Sequence, residues 1–298
     1  CNWKLLNLNL TNTIIRGEYL VNNKKPASQK NNMPWGYFIR HVLTDNYQVK
    51  EIHIEPNSCF SYHYHKLVNE IWYIWSGNVH SIIENEEKDY SHGGLLLIPK
   101  GTIHRLFNTG NEQAVIFEIQ IGNINKDDIH RIQDEYGRAN ISHERIVKSN
   151  EISSEIQIDE INMKLNNELN DARNTTPTNA WGDFSTFLNF DEYRIRFIMM
   201  NKGARLSFHY HQFVDEVWLI LEGSIWAYID DHVEICDTGD ILHKPRNLKH
   251  HCRNNFNSTT KILEIQIGED PNIKKDVNRA DMKEIESHIK EMKKKDGN

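Results

Sequence analysis

His63-Tyr64-His65-Lys66-Leu67-Val68-Asn69-Glu70 returns later in the chain as His209-Tyr210-His211-Gln212-Phe213-Val214-Asp215-Glu216. The flanks repeat at the same offset. Trp35-Gly36 matches Trp181-Gly182, Gly77 matches Gly223, Gly93 matches Gly239, and Pro99 matches Pro245. His104 matches His250, Asn108 matches Asn254, and the run from Glu118 to Gly122 matches that from Glu264 to Gly268. The spacing holds throughout with no net insertion, so two copies of one fold lie in tandem. The repeated stretch is built of strands. Val115, Phe117, Ile119 and Ile121 alternate with Glu118 and Gln120, the period of a half-buried strand. Ile71 to Trp75 and Val217 to Leu221 are apolar runs that end near a glycine and read as central strands. Many short strands with turn signals between them predict a sandwich or barrel.

Each copy carries H-x-H, a glutamate five residues on, and a further histidine after a P-x-x-x-x-H turn. Residues i and i+2 of a strand face one side. Both histidines of each H-x-H therefore point the same way, and the glutamate and distant histidine can join them from neighbouring strands. The candidate metal ligands are His63, His65, Glu70 and His104, then His209, His211, Glu216 and His250. Imidazole and carboxylate suit zinc, manganese, iron or nickel, one divalent ion per copy, and the ligand set does not choose among them. A lone barrel histidine is usually a packed polar residue, but four ligands at fixed spacing, twice over, point to a metal.

This spacing resembles the two motifs of the cupin superfamily. The first motif runs His63-x-His65-x4-Glu70-x6-Gly77, with Asn57 where the leading glycine is usual; the second copy has Gly203 there. The second motif runs Gly93-x5-Pro99-x-Gly101-x2-His104-x3-Asn108, and its copy departs only at Asn247 for glycine, a turn position that asparagine tolerates. The resemblance implies an all-β chain: two tandem cupin (double-stranded β-helix, or jelly-roll) barrels with short linking and C-terminal helices. The expected domains are an N-terminal arm over 1–33, cupin barrels over 34–140 and 179–270, a linker over 141–178, and a charged helix over 271–298. Within the arm, Leu6, Leu8 and Leu10 alternate as an extra strand would, and Asn22 to Asn32 reads as a linker. Ile129, Ile132 and Tyr136 are spaced for a short helix after the first barrel, and Ile158, Ile161, Leu165 and Leu169 for one before the second. Asn170 to Thr178 reads as a loop.

The first copy, from Pro34 to Arg138, is also similar to the cupin domain of type II mannose-6-phosphate isomerases, which often follows a mannose-1-phosphate guanylyltransferase. Pro34-Trp35-Gly36, the run from Ile98 to Leu106, and the ending Asp127-Asp128-Ile129 with Tyr136-Gly137-Arg138 carry that likeness. Two departures stand out: one residue more between the histidines and the glutamate, and two cupin copies instead of one. Arg279 stands in for the missing Tyr-Gly-Arg ending of the second copy. The resemblance implies a metal-dependent aldose–ketose isomerase acting on a phosphorylated or nucleotide-activated sugar. Candidate catalytic or phosphate-holding residues are Lys50 and its match Arg196, Glu118 and its match Glu264, and Arg138; Lys66, Lys100 and Arg105 also flank the ligands. Each of these charges alone reads equally as solvated surface. Trp72, Tyr73, Trp75, Trp218 and Trp226 read as core.

The rivals are a bicupin oxidoreductase (a dioxygenase or decarboxylase) and a non-catalytic carbohydrate-binding module. Retention of both ligand sets weighs against the module. If one copy alone is catalytic, the first is favoured, since its motif and ending are more complete. The formal charge of −7 gives no electrostatic case for nucleic acid. No apolar run approaches the roughly 20 residues a membrane span needs. Four scattered cysteines and no leader fit a cytoplasmic protein, monomer or homodimer. The start at Cys1 reads as a piece of a longer product.

Overall fold

In the computed structural model, the described residues are 30–139, 158–229, 232–268 and 276–281, with 283 and 286. The chain divides into two compact units, with the division between Glu168 and Leu169. Each unit holds two facing sheets, as the repeat requires.

The first barrel runs β1 (Asn31–Met33), β2 (Gly36–Leu43), β3 (Tyr47–Ile54), β4 (Tyr62–Tyr64), β5 (Val68–Ser76), β6 (Val79–Ile83), β7 (Glu86–Tyr90), β8 (Leu95–Ile98), β9 (His104–Asn108), β10 (Ala114–Gly122) and β11 (His130–Gln133). One sheet orders β1-β2-β3-β10-β5-β8 and the other β11-β4-β9-β6-β7. The second barrel follows with β12 (Gly182–Asn189), β13 (Tyr193–Met200), β14 (His209–His211), β15 (Val214–Glu222), β16 (Ser224–Ile229), β17 (His232–Asp237), β18 (Ile241–Lys244), β19 (His250–Arg253), β20 (Thr260–Gly268) and β21 (Val277–Arg279). Its sheets order β12-β13-β20-β15-β18 and β17-β16-β19-β14-β21. The all-β, tandem-barrel expectation therefore holds.

Period-2 alternation fills each barrel. On β10, Ile116 joins a core with Trp72, Ile74, Leu96, Ile98 and Leu106, while Glu118 and Gln120 on the same face line a cleft. The second core is built the same way from Trp218, Ile220, Leu242 and Ile262. Two asparagines at glycine positions are explained by the backbone. Asn57 has φ 58° and its match Gly203 75°; Asn247 has φ 66° and its match Gly101 85°. All four sit in the left-handed region, which asparagine enters at low cost.

Four expectations fail, for related reasons. The residues spaced for a helix after the first barrel instead form β11, which pairs with β4. β21 does the same for β14 at the start of the expected C-terminal helix, of which the described residues Lys283 and Glu286 are helical. A strand satisfies the open edge of a short neighbour with its own backbone groups, which in a helix are already bonded within the helix. At the N-terminal arm, Asn31 to Met33 pair with β2 and are not linker. The helix before the second barrel, α1 (Ile158–Asn174), extends into the expected loop. Buried Leu165, Leu169 and Ala172 continue its apolar stripe, and Asn174 and Thr175 bond the carbonyls of Asn170 and Asp171 at 2.9 and 2.8 Å. The alternating leucines near the N-terminus and most of the expected C-terminal helix lie outside the described residues.

The first three turns of α1 also close an edge. Asn162 accepts from Leu97 N at 2.7 Å and donates to Leu97 O at 3.2 Å; Asn166 does the same for Leu95 at 2.9 and 2.7 Å. Two side-chain amides, one helical turn apart, thus stand in for a further strand beside β8. Asn162→Leu leaves both Leu97 groups buried and unpaired, at about 1–3 kcal/mol for each such group. A loss of about 2 kcal/mol or more in urea unfolding is expected, against little change for a substitution at exposed Met163.

Candidate functional site

In the first barrel, β4 aims His63 and His65 inward, and β9 brings His104 into register opposite His63. Glu70 arrives on β5, from the facing sheet and not from a strand beside the histidines as the sequence reading supposed. Each imidazole is fixed from behind. His63 Nδ1 lies 2.7 Å from Ser61 O, His104 Nδ1 lies 2.9 Å from Thr102 O, and His65 Nδ1 bonds Asp128 O. A ring that donates from Nδ1 to a carbonyl presents a bare Nε2 to the interior, the tautomer that ligates metal.

The interior face is left with acceptors. Glu70 Oε2 lies 2.9 Å from His104 Nε2, and both atoms are buried without a hydrogen-bond partner. Two lone-pair atoms at that separation call for a cation or a proton. Burial alone would raise the Glu70 carboxyl, but His65 and His104 outweigh it and hold it far below the carboxylate range. Burial, with His104 and His65 beside it, pushes His63 well below the usual imidazole value. His63, His65 and His104 offer nitrogens within 4.8 Å of one another. A buried three-nitrogen, one-carboxylate donor set with bare Nε2 atoms fits a divalent ion.

Behind Glu70 runs a chain of amides. Gln120 Nε2 donates to Glu70 Oε1 at 2.5 Å, Gln48 donates to Gln120, and Arg40 Nε donates to Gln48 at 3.1 Å. Beside it, Lys50 Nζ lies 2.5 Å from Glu118 Oε2. Lys50, Glu118 and Arg138, three of the expected site residues, line one cleft with His63 and His65. That cleft holds about 570 Å³ when the solvent space at its open mouth is counted. The structure adds Arg131, whose Nε is buried and unpaired, and Trp72, which is both core and cleft wall. Lys66 and Lys100 are exposed, and Arg105 is tied to Glu135 at 2.6 Å.

The second barrel repeats the triad. His209 Nδ1 lies 2.7 Å from Ser207 O, His250 Nδ1 lies 2.9 Å from Leu248 O, and His211 Nδ1 faces Asp276 Oδ2 at 3.4 Å. His209, His211 and His250 also could hold a metal ion. Gln266 donates to Glu216 at 2.6 Å, as Gln120 does to Glu70. Three things differ. Glu264 is engaged on both oxygens, by Arg196 and by Trp218 Nε1 at 2.9 Å, whereas the matching Trp72 Nε1 has no partner. Arg279 pairs in register with His209 as Arg131 does with His63, so it matches Arg131, not Arg138, and it is exposed. Finally, Lys244 enters the interior where the first barrel has Ile98.

The sequence pattern of the mannose-6-phosphate isomerase C-terminal family matches residues 22–134 and again residues 166–282. The chain belongs to that family. Within the mannose-6-phosphate isomerase C-terminal family, named relatives are similar over one barrel's length. The alginate biosynthesis protein AlgA of Pseudomonas syringae pv. tomato is 32% identical over 108 residues, 36% of this chain and 22% of that protein. A mannose-1-phosphate guanylyltransferase of Sinorhizobium fredii is 33% identical over 103 residues, 34% of this chain and 20% of that protein. The chain thus spans about a fifth of those relatives. Among solved structures, oxalate decarboxylase of Bacillus subtilis superposes with TM-score 0.55 at 14% identity, covering 82% of this chain and 76% of that one. A cupin 2 conserved barrel protein of Leptotrichia buccalis gives 0.54 at 15%, covering 77% and 88%. At these identities the likeness establishes the cupin fold.

Two outcomes follow for the site. Gln120→Ala removes the amide that orients Glu70, and divalent-ion affinity of the first barrel is expected to fall about 10–100-fold by calorimetric titration. On β18, burial pushes His243 down to about 4 from 6.5, against the pull of Asp215. The unfolded chain then takes up this proton before the folded one does. Stability falls as the pH drops below about 6.5 and levels off near 4, a loss of about 1–2 kcal/mol between pH 7 and 5. Urea midpoints of the native chain and His243→Phe, measured at both pH values, are expected to diverge by that amount.

Proposed function

We propose that the first barrel is the active centre of a metal-dependent aldose–ketose isomerase for a phosphorylated sugar, of the mannose 6-phosphate type. One observation carries this reading: the Lys50–Glu118 pair, two metal-facing histidines and two arginines line the same cleft. The family's name and the guanylyltransferase relatives support the sugar-phosphate class.

Arg131 and Arg138 supply guanidinium forks, which match phosphate oxygens in pairs. Asp134 accepts from Arg138 Nη2 at 2.6 Å and holds it in place. Arg131 brings a buried Nε with no protein partner. His63, His65, Glu70 and His104 would hold the ion, which when bound polarises a carbonyl oxygen and stabilises negative charge on it.

The proton work falls to Lys50 and Glu118. The Glu118 carboxylate takes the proton from C2 of the aldose, and the C1–C2 bond becomes double as the C1 carbonyl electrons move onto O1. The Lys50 ammonium gives its proton to O1. Lys50 then takes back the O2 proton, O2 becomes the carbonyl, and Glu118 returns its proton to C1. Every proton is returned, and no external oxidant or reductant is needed. A base and an acid held together in a cleft suit such a two-site transfer. Arg196 and Glu264 form the matching pair in the second barrel, but Trp218 occupies the second oxygen of Glu264 there.

The test is conversion of mannose 6-phosphate to fructose 6-phosphate by the full chain, with and without chelator. Glu118→Gln is expected to lower kcat by about 10²–10⁴-fold with KM little changed. Arg131→Ala is expected to raise KM about tenfold or more, the loss of one charge-assisted phosphate contact. Metal-loaded protein that leaves sugar phosphates unchanged, but consumes oxygen or releases carbon dioxide from a carboxylate, would overturn the reading.

A further inference from the structure

Lys244 is the last residue of β18, directly across from Glu216 on β15. The same pair of positions in the first barrel is Ile98 and Glu70. Sheet geometry therefore sends the Lys244 side chain into the barrel, onto the face that carries Glu216. Its Nζ lies 2.5 Å from Glu216 Oε2 and 3.1 Å from the centre of the Trp218 ring, with none of the side chain exposed. The contact is ionic in character, since Nζ has no partner at hydrogen-bond geometry. The same Glu216 oxygen lies 3.4 Å from His250 Nε2. The ammonium thus stands against the carboxylate oxygen that Gln266, bonded to Oε1, leaves free.

We propose that Lys244 is the resident cation of the second barrel, so that the two histidine triads are not equivalent and the chain takes up one divalent ion tightly, in the first barrel. A divalent ion sits about 2.0–2.2 Å from a carboxylate oxygen ligand. Glu216 Oε2 cannot accept such an ion at that distance while an ammonium occupies its other approach, because the two cations would share one oxygen in a dry interior. Trp218 holds the ammonium there, its ring face attracting the charge. The triad keeps its histidines, with His209 and His250 hydrogen-bonded from behind as their matches are in the first barrel, and the charge that a metal would bring is supplied by the chain itself. In the first barrel the aliphatic Ile98 supplies none. The inference does not depend on the sugar-phosphate reading, since it concerns which cation each barrel holds.

The experiment is a titration of the chelator-stripped full chain with Co²⁺, counted by calorimetry and by the visible spectrum of the bound ion. One tight equivalent is expected. His209→Ala should leave that equivalent intact, and His104→Ala should abolish it. Lys244→Ile, which installs the residue of the first barrel, should add a second equivalent, with affinity at the second triad raised at least about 100-fold. Two equivalents of comparable affinity in the native chain, or loss of a tight equivalent in His209→Ala, would overturn the proposal. Should Lys244→Ile fail to fold, as judged by circular dichroism, the native count together with the two histidine variants decides the matter.

Discussion

A carboxylate in the middle of a small β-barrel must be met by positive charge, and that requirement shapes both interiors. Glu70 and Glu216 are each 2% exposed, and an unpaired carboxylate at that depth is prohibitively costly. Each is held by a glutamine from the neighbouring central strand and faces three imidazoles across the barrel. The neutral glutamine fixes orientation without neutralising anything. In the first barrel the compensation comes from imidazoles placed where they could hold an ion. In the second, the Lys244 ammonium already lies against the carboxylate. The two copies therefore keep one geometry with different charge compensation.

How far this was legible in the sequence follows from which interactions are local. The repeat, the barrels and the convergence of each histidine triad could be read, because strand period and cross-strand register make H-x-H point one way whatever the surroundings. The tautomers were also implicit, since the carbonyls behind His63 and His104 belong to residues two positions earlier in the chain. What could not be read were features fixed by open edges. Ile129, Ile132 and Tyr136 have helical spacing, but the unpaired backbone of β4 selects a strand. Nothing in the helical spacing marks Asn162 and Asn166, because β8 supplies the groups they bond. Arg131 escaped notice because its place is set by that same edge pairing.

Lys244 is the instructive omission. It ends the run Ile241-Leu242-His243 before Pro245, at a position where the other copy has isoleucine. A lysine within a core-facing strand is a strong signal, because such a side chain is almost never fully buried without a partner. Comparing the ligands alone made the two sites look identical. The difference lies in the residues facing the ligands, and a residue-by-residue comparison of the two copies would have found it.

The proposed functional asymmetry has the same physical root. A reacting carbonyl gains from a cation only if that cation has coordination positions to offer and if acid, base and phosphate-binding groups surround it. In the first barrel Glu118 bonds Lys50 through Oε2 and shares its cleft with Arg131 and Arg138. In the second, Glu264 is held by Arg196 and Trp218 together, and Arg279, the register match of Arg131, is exposed. An ammonium has no open coordination position for a substrate oxygen, and its partner Glu216 is already engaged. The two interiors carry matching histidines and glutamates; on the proposed reading, one residue facing the glutamate, with the rearranged acid beside it, separates the barrel that takes an ion from the one that carries its own counter-charge.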